Sequence, residues 1–276
     1  MNTKLIKRYI SIPIIIVVIL IVRFGCEREP PVAFQSDWHM SPDRRWVGPS
    51  FWANRLQDWA VINQRLVCLQ SLPMRTVHLL TRRLGADEGE FEISTQFGRV
   101  RSPSEDTTLS SAGVLLGAGG GLDYRAAALI HHSYGPSGGL YAGVDTRGFL
   151  FLRDFEEEDG VLATSDDALA TTENVAMVVE GRRSGDTYVL DILAFSPEQT
   201  SDTISLSLPE VSASRLVGNL ALVSHASSSN GPRFWFASWQ MDGSKLDAFN
   251  SRMLGPVVGT QHTLSEGTLK LTAQFM

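Results

Sequence analysis

The sequence predicts an all-β domain, a jelly-roll sandwich of two antiparallel sheets, on three observations. About a dozen short segments rich in β-branched and aromatic residues recur with turn residues between them at near-regular spacing. Helical periodicity is nearly absent after the first 50 residues. No fixed-period repeat divides the 276 residues, a length sufficient for one large β domain with a substantial core.

Taken in order, the chain begins with Lys4, Lys7 and Arg8, then an apolar run over 9–22 interrupted by Ser11 and Pro13. A basic start followed by a short apolar core is the layout of an export signal. It is short for a membrane helix, which needs about 20 apolar residues. Gly25-Cys26 follows, a small residue before a cysteine, which is where a bacterial lipoprotein is cut and lipidated. Arg23 and Phe24 are poor residues for such a cut. Three fates stay open for residues 1–25: a lipidated Cys26, an uncleaved hydrophobic helix as membrane anchor, and a plain cleaved signal. Each places the domain outside the cytoplasm, in the bacterial cell envelope. Residues 26–46 carry Pro30, Pro31 and Pro42 with mixed charges and no sustained period, and read as a tether. The globular domain is expected over 47–276.

Within it, 59–62 and 65–69 flank the polar turn Asn63-Gln64, and 75–81 is β-rich. Residues 90–97 alternate, with Phe91, Ile93, Thr95 and Phe97 on one face. Strands are expected at 113–117 and 124–130 across a glycine-rich turn. A hairpin is expected over 139–144 and 148–152, and another over 175–180 and 187–195. Strands at 203–208, 216–224, 233–241 and 268–274 complete the series, and 244–250 is the one helix-like stretch.

The chain carries 24 basic and 30 acidic residues, a formal charge of −6. Residues 1–25 hold four of the basic residues and none of the acids, so the remainder stands at 20 against 30, about −10. That opposes nucleic acid as a partner, whose phosphates demand a basic face. It suits an extracytoplasmic domain or one that holds cations. There are two cysteines, Cys26 and Cys68. They could pair in an oxidising compartment, but Cys68 lies in an alternating apolar run and reads as a small buried hydrophobe.

The densest acidic patch is Asp154-Phe-Glu-Glu-Glu-Asp-Gly160. Asp154, Glu156, Glu158 and Asp159 are the candidate ligands for a calcium ion, although the alternate-acid spacing of a helix-loop-helix calcium loop is missing. A solvated loop is the plainer reading. Glu156 or Glu158 could also serve a glycoside hydrolase, which needs two carboxylates facing across a cleft. His131 and His132 are adjacent and so would point to opposite faces of a strand, which argues against one shared metal. No metal-protease, nucleophile-elbow or phosphate-loop spacing occurs. Gly117–Gly121 approaches a dinucleotide spacing, but strand pattern rather than a helix is expected after it.

In Arg233-Phe-Trp-Phe-Ala-Ser-Trp-Gln240, strict alternation puts Phe234, Phe236 and Ser238 on one face and Trp235, Ala237 and Trp239 on the other. One face is core. The other could stack on a sugar ring, with Trp235, Trp239, His131 and Tyr141 as candidate glycan contacts, or could be buried under the N-terminal segment.

Three motifs carry a family resemblance: Trp52-Ala-Asn-Arg-Leu-Gln-Asp-Trp59, Arg65-Leu-Val-Cys68 with Arg75-Thr-Val-His-Leu-Leu-Thr81, and the ending Thr263-Leu-Ser-Glu-Gly-Thr-Leu-Lys-Leu-Thr-Ala273. Ala112–Gly117, Asp123-Tyr-Arg125 and Gly138–Asp145 add to it. Over most of 46–274 the chain resembles the N-terminal concanavalin A-like, laminin-G-like region of bacterial alkaline phosphatase D-type (PhoD-like) metallophosphoesterases. That resemblance implies a lectin-like sandwich preceding a two-metal phosphoesterase domain. The chain ends at Met276, where the catalytic domain would begin, so no catalytic position has a counterpart. The expectation is a non-catalytic module that binds a glycan or serves a separately encoded metallophosphoesterase; a glycoside hydrolase or a structural spacer are the alternatives.

Overall fold

The computed structural model describes residues 33–101, 107–129, 134–157, 160–255 and 257–275. Among them, no helix is long and apolar enough to cross a membrane. The apolar segment, Cys26, His131, His132, Glu158 and Asp159 lie outside the described residues.

Two antiparallel sheets of eight strands each form a sandwich. The first contains β1 (Phe34–Gln35), β3 (Trp59–Ile62), β4 (Arg65–Cys68), β6 (Phe91–Val100), β11 (Val175–Ser184), β12 (Thr187–Ser196), β13 (Gln199–Ser212) and β15 (Arg233–Asp242). The second contains β2 (Phe51–Asn54), β5 (Arg75–Leu84), β7 (Ser110–Ala118), β8 (Leu140–Asp145), β9 (Phe149–Asp154), β10 (Val161–Ala168), β14 (Gly218–Ala226) and β16 (Leu246–Ala248). The first sheet runs β13-β12-β11-β6-β15-β4-β3, with β1 also on β15; the second runs β10-β9-β8-β7-β14-β5-β16, with β2 also on β5. The expected jelly-roll sandwich is the observed architecture.

One aliphatic and aromatic core fills the space between the sheets. It takes Phe91, Ile93 and Phe97 from β6, the face the alternation predicts, with Thr95 buried beside them. On β15 strict alternation fails. Register with β6 slips between Phe236 and Ser238, so the strand carries one extra residue, Ala237. Phe234 and Phe236 point into the core before the bulge, and Trp239 and Met241 point into it after. The expectation that Trp235 and Trp239 share a face is thereby corrected.

The inward turn of Trp239 has a second effect. Phe34, Trp38 and Phe51 gather with it into an aromatic cluster, Trp38 tilted against Phe51 at 4.9 Å and Phe51 stacked on Trp239 at 6.3 Å. The Trp239 amide and carbonyl bond Ser36, and the Trp38 indole donates to the Val47 carbonyl. From Phe34 onward, then, the segment expected as a tether belongs to the sandwich. Its aromatic residues hold it there, Phe34 packing edge-on to Phe51 and Trp239 and Trp38 against Phe51.

Several smaller expectations also change. Residues 124–127 form a helical turn, α1 (Tyr124–Ala127), capped by the Asp123 carboxylate, instead of a strand. The 244–250 stretch holds strand β16 rather than a helix. The 268–274 strand is β18 (Thr268–Phe275); it pairs only with β17 (Val257–Ser265), in a two-stranded ribbon outside both sheets.

Two of the resemblance motifs, 52–59 and 75–81, meet at one structural corner. Asp58 and Arg75, from separate motifs, make a buried ion pair at 2.6 Å. The Trp59 indole donates to the Asn54 carbonyl, and the Asn54 amide donates to Thr76 Oγ1.

Candidate functional site

The outer face of the second sheet carries an apolar patch with polar side chains at both ends of it. Alternation along β7, β8, β9 and β14 turns Ser111, Leu115, Tyr141, Phe151, Arg153, Ala221, Val223 and His225 away from the core between the sheets. A second apolar cluster forms on this face from Met74, Leu115, Tyr141, Phe151, Phe155 and Val223. The Asn219 amide donates to the Tyr124 carbonyl and the Asn54 amide to the Ala128 carbonyl, pinning α1 in place.

Two openings flank this cluster at opposite ends of the strands. Ser111 and Gly117 mark them on β7, six residues apart, which is about 20 Å at the rise of a strand.

The larger opening is a cleft of about 320 Å³, lined by Gly117, Gly120, Gly139, Ser137, Glu156 and Arg215, with Ser214 and Val217. Its glycines exist for backbone approach: a Cβ on Gly117 would lie 2.3 Å from the Arg215 carbonyl, and one on Gly139 2.5 Å from that of Leu116. The Arg215 guanidinium reaches Asp154 at 2.5 Å and Glu156 at 3.0 Å. Glu156 also accepts the Ser137 amide at 2.9 Å. A guanidinium, two carboxylates and two serines thus meet over a floor of backbone, all part-exposed.

The structure places part of the acidic patch, Asp154 and Glu156, while Glu158 and Asp159 lie outside the described residues. Asp154 and Glu156 converge on the one Arg215 guanidinium. Among the described residues no group of three or more metal-ligating side chains is found.

The aromatic candidates are placed elsewhere. Trp239 is fully buried in the main core. Trp235 lies on the outer face of the first sheet, 7% exposed, over Gly98 of the neighbouring strand. Its indole donates to the Arg99 carbonyl and the Arg65 guanidinium sits 3.9 Å above its ring. Neither indole offers a free face for a sugar. Tyr141 is buried too, its hydroxyl 3.0 Å from Ser111 Oγ, and burial holds its phenol above the usual range. It underlies the site instead of lining it. Arg215 has no local sequence signal, because its partners lie about 60 residues away in the chain.

The smaller opening, about 160 Å³, is lined by Ser111, Asp145, Arg147, Phe149, Arg153 and His225 among others. The Met74 amide donates to His225 Nδ1 at 3.4 Å, which leaves the ring proton on Nε2. Burial, with the nearby Arg153 charge, lowers the His225 pKa to about 4, so the ring is neutral at pH 7.

Among solved structures the chain is similar to peanut lectin, at a TM-score of 0.52 and 13% identity, over 79% of this chain and 99% of that one. It is similar to lectin I of Ulex europaeus, solved with the methyl glycoside of α-L-fucose, at 0.52 and 11%, over 79% and 99%. It is also similar to the Lotus tetragonolobus seed lectin, at 0.52 and 13%, over 79% and 100%. These likenesses define the fold as the concanavalin-like lectin sandwich. No family model matches the chain. No curated protein matches it.

Proposed function

We propose that this chain is a glycan-binding β-sandwich module and that the Arg215 cleft is its binding site. The observation that carries the reading is the meeting of Arg215, Glu156, Ser137 and Ser214 in one open cleft, with Asp154 holding the Arg215 guanidinium from beside it. Sugar hydroxyls are both donors and acceptors, and they suit part-exposed carboxylate and guanidinium groups fixed by one another. A cleft of about 320 Å³ falls at the lower end of ligand sites. The similar Ulex europaeus lectin, solved with a fucoside, supports the same class of ligand on this fold. The test is a glycan-array screen of the purified chain beside Arg215→Gln. Binding by the native chain, weakened about tenfold or more in Arg215→Gln at unchanged melting temperature, is the expected result. A silent array for the native chain would sink the reading.

Two finer points belong to the same proposal. The module is exported and held at the envelope, supported by Lys4, Lys7 and Arg8, the apolar 9–22 run and Gly25-Cys26. Fractionation of expressing cells with palmitate labelling checks this; soluble cytoplasmic protein would contradict it. The module also acts beside a PhoD-like metallophosphoesterase, supported by the motifs at 52–59 and 75–81. A phosphodiesterase assay with the product of the adjacent reading frame, with and without this chain, is the check. Equal activity in both would end that idea.

A further inference from the structure

The Arg153 pocket presents uncompensated positive charge within an acidic protein. Arg147 is neutralised, its Nε and Nη2 on Asp145 at 3.1 and 2.7 Å. Asp145 is spent in the same turn, also accepting the amides of Arg147 and Phe149. Asp154, next to Arg153 in sequence, is taken by Arg215. Among the described residues no carboxylate pairs with Arg153, which is only half-buried. Around it stand the Ser111 and Thr164 hydroxyls and His225, all able to donate. The rim is different in kind: Leu109 and Val161 are about half exposed, and Phe149 lies beside them.

We propose that this pocket is an anion subsite, and that Arg153 there receives the carboxylate or sulfate of an acidic sugar. The volume sets the size of the group. At about 160 Å³ it is well below the roughly 300 Å³ of a whole-ligand site, so it admits one small substituent and little more. A planar guanidinium pairs with a carboxylate or sulfate through two parallel N–H bonds. The apolar rim is what favours a sugar over a free ion, because ring C–H groups have Leu109, Val161 and Phe149 to cover. The identity of the bearer rests on the glycan reading above; the anion subsite itself does not.

The experiment is an isothermal titration of the full chain with trigalacturonate and with its neutral methyl ester. Galactose 6-sulfate and galactose form the sulfate arm, and sodium sulfate the free-ion arm. Arg153→Gln and Arg215→Gln are titrated in parallel, with melting temperatures to verify folding. The expected result is that one charged sugar binds about tenfold or more tighter than its neutral partner, and that Arg153→Gln erases the difference. Equal binding of charged and neutral sugars, or a preference that survives Arg153→Gln, would overturn the subsite and leave the glycan reading standing. Sulfate binding without any saccharide binding would overturn the sugar bearer and the glycan reading together.

Discussion

His225 makes stability depend on pH in a direction that can be worked out. Its folded pKa is lowered to about 4 from an ordinary value near 6.5, so the unfolded chain takes up the proton first. The stability due to its neutral form is therefore complete above about pH 6.5 and is lost as pH falls from there toward 4. The total is on the order of 3 kcal/mol. Urea denaturation at pH 7 and pH 4.5 should show a larger acid loss in the native chain than in His225→Gln; equal losses would contradict this. The Asp58–Arg75 pair is the second sensitive point. Removing either partner strands a buried charge, so Asp58→Asn or Arg75→Met should each cost about 3–5 kcal/mol, with the double variant costing less than the sum. Cys68, fully buried and with its thiol pushed up to about 11 by burial, fits its sequence reading as a small hydrophobe.

The β15 bulge is the most consequential element. Deleting Ala237 would close the bulge and leave Phe236 opposite Phe97 and Trp239 opposite Thr95, so that strict alternation itself keeps Trp239 and Met241 in the core beside Phe34 and Trp38. The expected outcome is a native-like tryptophan emission and a retained cooperative thermal transition; a red-shifted emission would refute the register argument. The sequence carried the strands wherever burial is one-sided, as in β6, because alternation records burial. It was silent at β10, whose residues are nearly all exposed apart from Ser165, so no core selects a pattern. Nor could it reveal the bulge, since an extra residue is invisible until a partner strand sets the register. The helical turn α1 was likewise hidden, four residues being too few for a period.

At the scale of the molecule, two sheets bury one core, and the Arg215 cleft and the Arg153 pocket both open at the outside of the second. The sandwich was legible from pattern; the site was not. Asp154 and Glu156 were visible as an acidic run, but their meaning depends on Arg215, brought to them by the fold. Trp235 and Trp239 stood out by residue type and proved to be packing residues, one capped by Arg65 and the other sealed in the core. The account therefore places ligand binding on the outer face of the second sheet and away from the aromatic strand of the first. The direct test is a titration of the best array ligand against the native chain, Arg215→Gln and Trp235→Ala, each verified as folded. The account predicts that Arg215→Gln weakens binding about tenfold or more while Trp235→Ala binds as the native chain does. Loss of binding in Trp235→Ala with Arg215→Gln unaffected would contradict it.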